Sequence, residues 1–181
     1  MLTLKINDAE FFNEQTESFI TVKGQTLQLE HSLVSISKWE AKWKKPFLTR
    51  EGKSREETID YIRCMTITQN VNPLVYDLIT DEQIKEVNRY IDDPMTATTF
   101  SKQEGKGVGP GKPITSEEIY YSLVAYQIPV EFQRWHFNRL MTLIRICDEK
   151  NKPPKKMKKG DIARRNRSLN RARRARSGSR G

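Results

Sequence analysis

The chain is expected to be α+β and mainly α: a small N-terminal antiparallel sheet, a helical bundle, then a basic C-terminal tail. Three observations predict this. Apolar residues alternate with polar ones near the N-terminus. From Ser32 to Asn151 they recur every three or four residues, between capping signals and prolines. Finally, Lys155 to Gly181 carries 12 Lys/Arg against one acid, Asp161.

Leu2, Leu4 and Ile6 share one face of a strand, with Thr3 and Lys5 opposite. In "SFITVKGQTLQLE", Phe19–Val22 and Thr26–Glu30 flank Lys23-Gly24-Gln25. This spacing predicts a hairpin, with Gly24 supplying a positive φ. The β region is residues 1–31.

Helices are expected over 32–94 and 114–151. "SLVSISKWEAKW" begins at Ser32, spaces Leu33, Ile36, Trp39 and Trp43 on one stripe, and stops before Pro46. Capping boxes at Ser54-x-x-Glu57, Thr80-x-x-Gln83 and Thr115-x-x-Glu118 open three more. Asn72-Pro73 suits a short helix with Pro at its first position. "SKQEGKGVGPGKP", residues 101–113, reads as a flexible loop. After Pro129, "PVEFQRWHFNRLMTLIRICDEK" predicts the longest and most apolar helix, central to the fold. Its polar stripe is Glu131, Arg134, Asn138, Thr142, Arg145 and Glu149, so Ile144 on the opposite side should be buried. Pro153-Pro154 closes a folded body, 1–154. The tail, 155–181, is expected to be disordered, or helical on binding.

Charge is unevenly placed. The net +9 lies wholly in the tail, since residues 1–154 hold 20 bases and 22 acids. The first residues include Lys5, Asp8 and Glu10, which a secretory signal core excludes. No apolar run approaches the roughly 20 residues needed to span a bilayer. Cys64 and Cys147 lack CxxC spacing and fit buried free thiols. A cytosolic protein without cofactor or metal is the simplest expectation.

Catalytic signals are sparse. His31 sits at a strand-to-helix junction and His136 lies between Trp135 and Phe137; each reads as a hydrogen-bonded structural residue. No HExxH or GxSxG is present. "GKGVGPGKPIT" lacks the phosphate-loop pattern: with Gly111-Lys112 as anchor, the first glycine position is Lys106 and the hydroxyl position is Pro113. No enzyme activity is expected.

Binding signals are stronger. "SKWEAKWKKPF" interleaves Trp39, Trp43 and Phe47 with lysines. Stacked bases use such a mixture, but Trp39 and Trp43 share the stripe of Leu33 and Ile36, so core packing is the plainer reading and a partner groove the next. Trp39, Trp43, Phe47, Trp135 and Phe137 are the candidate client-binding residues. In the tail, Lys155, Lys156, Lys158, Lys159, Arg164, Arg165, Arg167, Arg171, Arg173, Arg174 and Arg176 are candidate polyanion contacts, through counterion release. A basic tail of this kind also stays solvated, or folds on an acidic protein surface.

The segments "QTLQLEHSLVSISKWEAKWKKPFL", "YIRCMTITQNV", "DDPMTAT" and "IPVEFQRWHFNRLMTLIRICDEKNKPPKKM", with the following "RNRSLNRARR", together resemble the tail assembly chaperones of long-tailed, siphovirus-like bacteriophages. The resemblance spans roughly Leu2 to Arg174 and rests on overall pattern. It implies a non-catalytic protein of the host cytoplasm whose partners are the amphipathic tape-measure protein and the tail-tube protein. Tube subunits polymerise around the tape measure and the chaperone leaves. In related phages a longer form arises by ribosomal frameshifting. The role accommodates a homo-oligomer, and weak, non-specific nucleic-acid binding through the tail. Two other readings stand beside it: a nucleic-acid-binding protein using the basic arm, and a structural virion or connector protein.

Overall fold

The computed structural model describes residues 1–13, 17–49, 51–100, 113–152 and 159–178. It is mainly helical with small antiparallel pairings at the N-terminus, and it divides into two units, Met1–Cys147 and Asp148–Gly181. The last residues expected in the body therefore group with the tail.

The N-terminal strands are paired in a nested order. β1 (Leu2–Lys5) lies antiparallel to β4 (Thr26–Leu29), with Leu4 opposite Leu27. Between them in sequence, β2 (Ala9–Asn13) lies antiparallel to β3 (Ser18–Val22). The hairpin expected across Lys23-Gly24-Gln25 does not form, because β3 and β4 belong to different ribbons. Residues 6–8 and 24–25 run side by side instead: Ile6 N–H donates to Gln25 O at 2.9 Å and Gly24 N–H to Asp8 Oδ1 at 2.7 Å.

Gly24 has no positive φ; among the described glycines only Gly178 does. Its role is close approach, since a Cβ there would lie 2.1 Å from the Ile6 carbonyl oxygen and 2.5 Å from the Asn7 carbonyl carbon. Backbone, unlike a side-chain tip, cannot swing aside. Gly24→Ala is expected to cost about 1–3 kcal/mol, read by thermal denaturation; an unchanged melting temperature would show that the crossing is loose.

The ribbon of β1 and β4 is covered along its β4 edge and tied at one point of its β1 edge. Ile67 N–H donates to Gln28 O at 2.8 Å and Glu30 N–H to Met65 O at 2.9 Å, while Gln83 Nε2 reaches Lys5 O at 2.9 Å. Covered edges leave no template for strand addition at those points. Leu4, Ile6, Val22, Leu27 and Leu29 point into the core.

The helices begin where the capping signals place them. α1 (Leu33–Trp43) starts after Ser32, whose hydroxyl accepts from Ser35 N–H, and ends at Lys44 in the left-handed conformation, φ 55°. α2 (Arg55–Met65) and α3 (Asp81–Asp92) carry the Ser54/Glu57 and Thr80/Gln83 boxes. A 3-10 turn, Pro73–Leu78, lies between them, with Asn72 Oδ1 capping Leu74 N–H. α4 (Ser116–Ala125) follows Thr115, whose N–H is reached by Glu118. All but Pro113 of the expected loop 101–113 lies outside the described residues.

The long helix expected from Pro129 is broken. Val130–Arg134 forms a 3-10 turn, Trp135 is extended, and α5 (Phe137–Asn151) starts afresh. The cause is tertiary: Phe137 N–H donates to His31 O at 2.7 Å, and Ser32 pairs with His136 as an antiparallel bridge. A Phe137 N–H given to His31 is not available to the carbonyl four residues earlier that a continuous helix would need. α5 is not the central helix. It buries Phe137 and Leu140, while Ile144, expected to be buried, is only half-buried against the core. Asn138, assigned to a solvent-facing stripe, donates from Nδ2 to Ile91 O and Asp93 O, both at 2.8 Å, and so tethers the end of α3.

In the second unit, α6 (Lys159–Ser177) is the longest helix, and residues 160–178 are exposed throughout. Cys64 and Cys147 are free and half-buried rather than fully buried. Burial pushes the Cys64 thiol up to about 11, away from nucleophilic range.

Candidate functional site

The two histidines that look isolated in sequence meet at the junction of β4, α1 and α5. Their rings stand edge to face, centroids 5.2 Å apart. His31 Nδ1 lies 2.5 Å from the Tyr61 hydroxyl, and Tyr61 Oη lies 3.4 Å from Ser35 Oγ. His136 Nε2 faces Tyr90 O at 3.0 Å. A carbonyl only accepts, so Nε2 carries the proton and buried Nδ1 is left as an acceptor with no partner. The Tyr90 hydroxyl donates to Glu30 Oε1 at 2.7 Å, and the Met1 amino group lies 3.2 Å from Glu30 Oε2.

His31 and His136 are only 2% and 7% exposed, so no substrate reaches them. The cluster is structural, and its two imidazoles and two phenols are held neutral beside the Met1–Glu30 ion pair. Burial, with His136 alongside, pushes His31 down to about 3; burial also lowers His136 and raises the hydroxyls of Tyr61 and Tyr90.

Acid sensitivity follows from these shifts. Below about pH 6.5 the unfolded chain takes up protons at His31 and His136 that the folded chain refuses. Stability therefore falls as pH drops from about 6.5 toward the depressed folded values, and is flat with respect to these groups above that range. At pH 4.5, His31 alone should account for about 2–3 kcal/mol of lost stability. Urea denaturation at pH 7 and pH 4.5 measures it, with His31→Gln as the non-titrating comparison. An equal acid loss in both proteins would assign the effect elsewhere.

The candidate client residues are distributed otherwise than expected. Trp39, Phe47 and Phe137 are buried. Trp39 Nε1 donates to Glu57 O at 2.9 Å, and its ring meets Trp43 and Phe47. Trp43 is half-buried with Nε1 on Asp60 Oδ2 at 2.9 Å, and half-buried Trp135 stacks on Phe132 beneath the Arg139 guanidinium. The core reading of the Trp39 stripe holds, and these five residues do not form one open face. Two of the neighbouring lysines are engaged by acids. Lys42 pairs with Asp60, and Lys45 with Glu57 at 2.8 Å. The Lys45 hydrogen bond holds the Glu57 carboxyl below its usual range.

A cleft of about 350 Å³ opens between the segment after α1 and the α2–α3 pair. Phe47, Tyr61, Ile62 and Val87 line it, and the Lys53 ammonium sits 4.0 Å from the centre of the Phe47 ring.

Exposed apolar side chains of the first unit lie elsewhere, among them Phe19 on β3, 72% exposed, and a pair on α4. Ile119 and Leu123 face inward, which turns Tyr121, Val124 and Ala125 outward at helical steps of three and four. Tyr121 is 74% exposed and Val124 78%, and Val130 just beyond is 56% exposed. Glu117 and Glu118 stand at the N-terminal end of this ridge. Sequence reasoning missed it because "EEIYYSLVAY" is apolar on nearly every side; only packing decides which side stays open.

Of the candidate polyanion residues, Arg164, Arg165, Arg167, Arg171, Arg173, Arg174 and Arg176 lie exposed on α6. Lys155, Lys156 and Lys158 fall outside the described residues, and Lys159 begins the helix. Among the described residues no group of three or more His, Cys, Asp or Glu side chains could hold a metal ion, and no helix is long and apolar enough to cross a membrane. No protein-family model, curated protein or solved structure matches this chain.

Proposed function

We propose that this protein is a tail assembly chaperone of a long-tailed bacteriophage. It binds the amphipathic tape-measure protein and promotes assembly of the tail tube around it in the host cytoplasm, without catalysis. The sequence resemblance supplies the partner. The observation that carries the reading is the α4 ridge, where an aromatic and an aliphatic side chain, Tyr121 and Val124, are each about three-quarters exposed (74% and 78%). A chaperone for an amphipathic helix needs apolar surface held open on a rigid element, so that the client's apolar stripe lies along it. α4 is rigid because Ile119 and Leu123 are packed beneath it, and because Glu40 Oε2 accepts from Ser116 N–H at 2.8 Å.

The test is co-expression with the tape-measure protein, followed by co-purification. The intact protein should keep the client soluble and carry it through purification. Tyr121→Glu combined with Val124→Glu should release it with the melting temperature unchanged, since both side chains are exposed. A chain ending at Pro154 should still hold the client. If the doubly substituted protein retains the client as well as the unaltered one, the ridge is not the client surface.

A further inference from the structure

The arginines of α6 are arranged in rows. On a helix turning about 100° per residue, Arg164, Arg167, Arg171 and Arg174 fall within one narrow stripe. Arg165, Arg173 and Arg176 fall on the opposite side, together with Ile162 and Leu169. Between the two rows lies a face of Ala163, Asn166 and Asn170. The remaining face carries Asp161, the only acid of the helix, with Ser168, Ala172 and Ala175.

From this arrangement we infer that α6 is a second binding site, for double-stranded DNA, lying in the major groove with one arginine row on each phosphate strand. The groove is about 12 Å wide and an α-helix with its side chains about 10–12 Å across, so both rows reach phosphate at once. Successive arginines of the first row rise by about 4.5–6 Å along the axis, which sets up a line of positive charge parallel to the groove wall. The face of Ala163, Asn166 and Asn170 then meets the base edges, and Asp161 and the small residues face outward. Arginine suits the task because its planar fork binds phosphate oxygens in pairs.

The alternatives fit less well. Pairing with an acidic protein helix needs an apolar seam, and α6 offers only Ile162 and Leu169, 43% and 48% exposed. The deep major groove of A-form RNA is too narrow for the helix. The inference is independent of the chaperone reading, which concerns α4.

Fluorescence anisotropy of the full-length protein with a labelled 20-base-pair DNA duplex tests it. The probes for comparison are the same sequence as duplex RNA and as single-stranded DNA, with polyglutamate as competitor. Duplex DNA should bind tightest. Seven arginine–phosphate contacts give a slope of log affinity on log salt of about −6, hence a loss of roughly 10³-fold or more between 50 and 200 mM salt. Replacing Arg164, Arg167, Arg171 and Arg174 by alanine should reduce the slope to about −3. A variant of unchanged composition, exchanging Arg167 with Ser168 and Arg171 with Ala172, should also lose affinity, because it breaks the row and keeps the charge. Equal binding by that variant would reduce the tail to a structureless polycation and overturn the inference. Tighter binding of RNA or single strands would overturn it too, as would competition by polyglutamate as effective as that of DNA.

Discussion

Trp39→Ala should destabilise the first unit by about 3–5 kcal/mol. Trp39 is 2% exposed. Its ring is stacked against Trp43, with centroids 6.0 Å apart and planes at 26°, and it meets Phe47 edge to face at 5.2 Å. Removing it empties a volume bounded by other aromatic rings, which cannot collapse far without losing their own contacts. The indole N–H also donates to Glu57 O, so truncation removes a hydrogen bond to a carbonyl of α2 as well. Trp39→Phe separates the two effects: it keeps most of the packing and loses the hydrogen bond, which should cost about 1–3 kcal/mol. Trp43→Ala, at the half-buried partner ring, should fall well below Trp39→Ala. Urea denaturation of the three variants orders them; a loss under about 1 kcal/mol for Trp39→Ala would mean that the ring is not a core element.

Glu40→Ala is expected to cost about 2–6 kcal/mol, although it removes a charged residue and opens little apolar surface. Glu40 is 8% exposed, and its two oxygens hold two backbone amides: Phe47 N–H at 2.7 Å and Ser116 N–H at 2.8 Å. One belongs to the segment after α1, the other to the first turn of α4, whose leading N–H groups have no partner within the helix. Alanine leaves both amides buried and unpaired, at about 1–3 kcal/mol each. Glu40→Gln should lose about half as much, since the amide keeps one acceptor and turns a donor toward the other N–H. Because α4 carries the proposed client ridge, hydrogen exchange at Ser116 should accelerate in Glu40→Ala. Protection equal to that of the unaltered protein would show that α4 is held by packing alone.

Local chemistry was readable wherever its cause is local. Ser54 with Glu57 and Thr80 with Gln83 start helices because a side chain and an amide three residues apart satisfy one another without outside help. The stripe Leu33, Ile36, Trp39 was equally plain, since a helix with apolar residues at that period must turn them inward. The mainly α, α+β class and the concentration of charge beyond Pro154 follow from the same kind of reading. So does the outcome that Trp39 is a core residue.

The tertiary structure decided which apolar segments pair, and where two competing local preferences give way. β3 and β4 are adjacent in sequence with a glycine between them, yet β3 pairs back with β2 and β4 with the distant β1, because residues 6–8 take up backbone donors and acceptors around Gly24. "VEFQRWHFNRL" has helical period throughout, but His31 O takes the Phe137 amide and interrupts it. His31 and His136, 105 positions apart in the sequence, share one buried cluster for the same reason. Glu40 and Asn138 look like surface residues, yet they close the ends of α4 and α3. Periodicity and capping are set within a few residues along the chain, so the sequence by itself determined them. Strand partners, buried polar ties and the side of α4 left open depend on which distant groups satisfy one another's hydrogen bonds, and only the assembled fold brings those groups together.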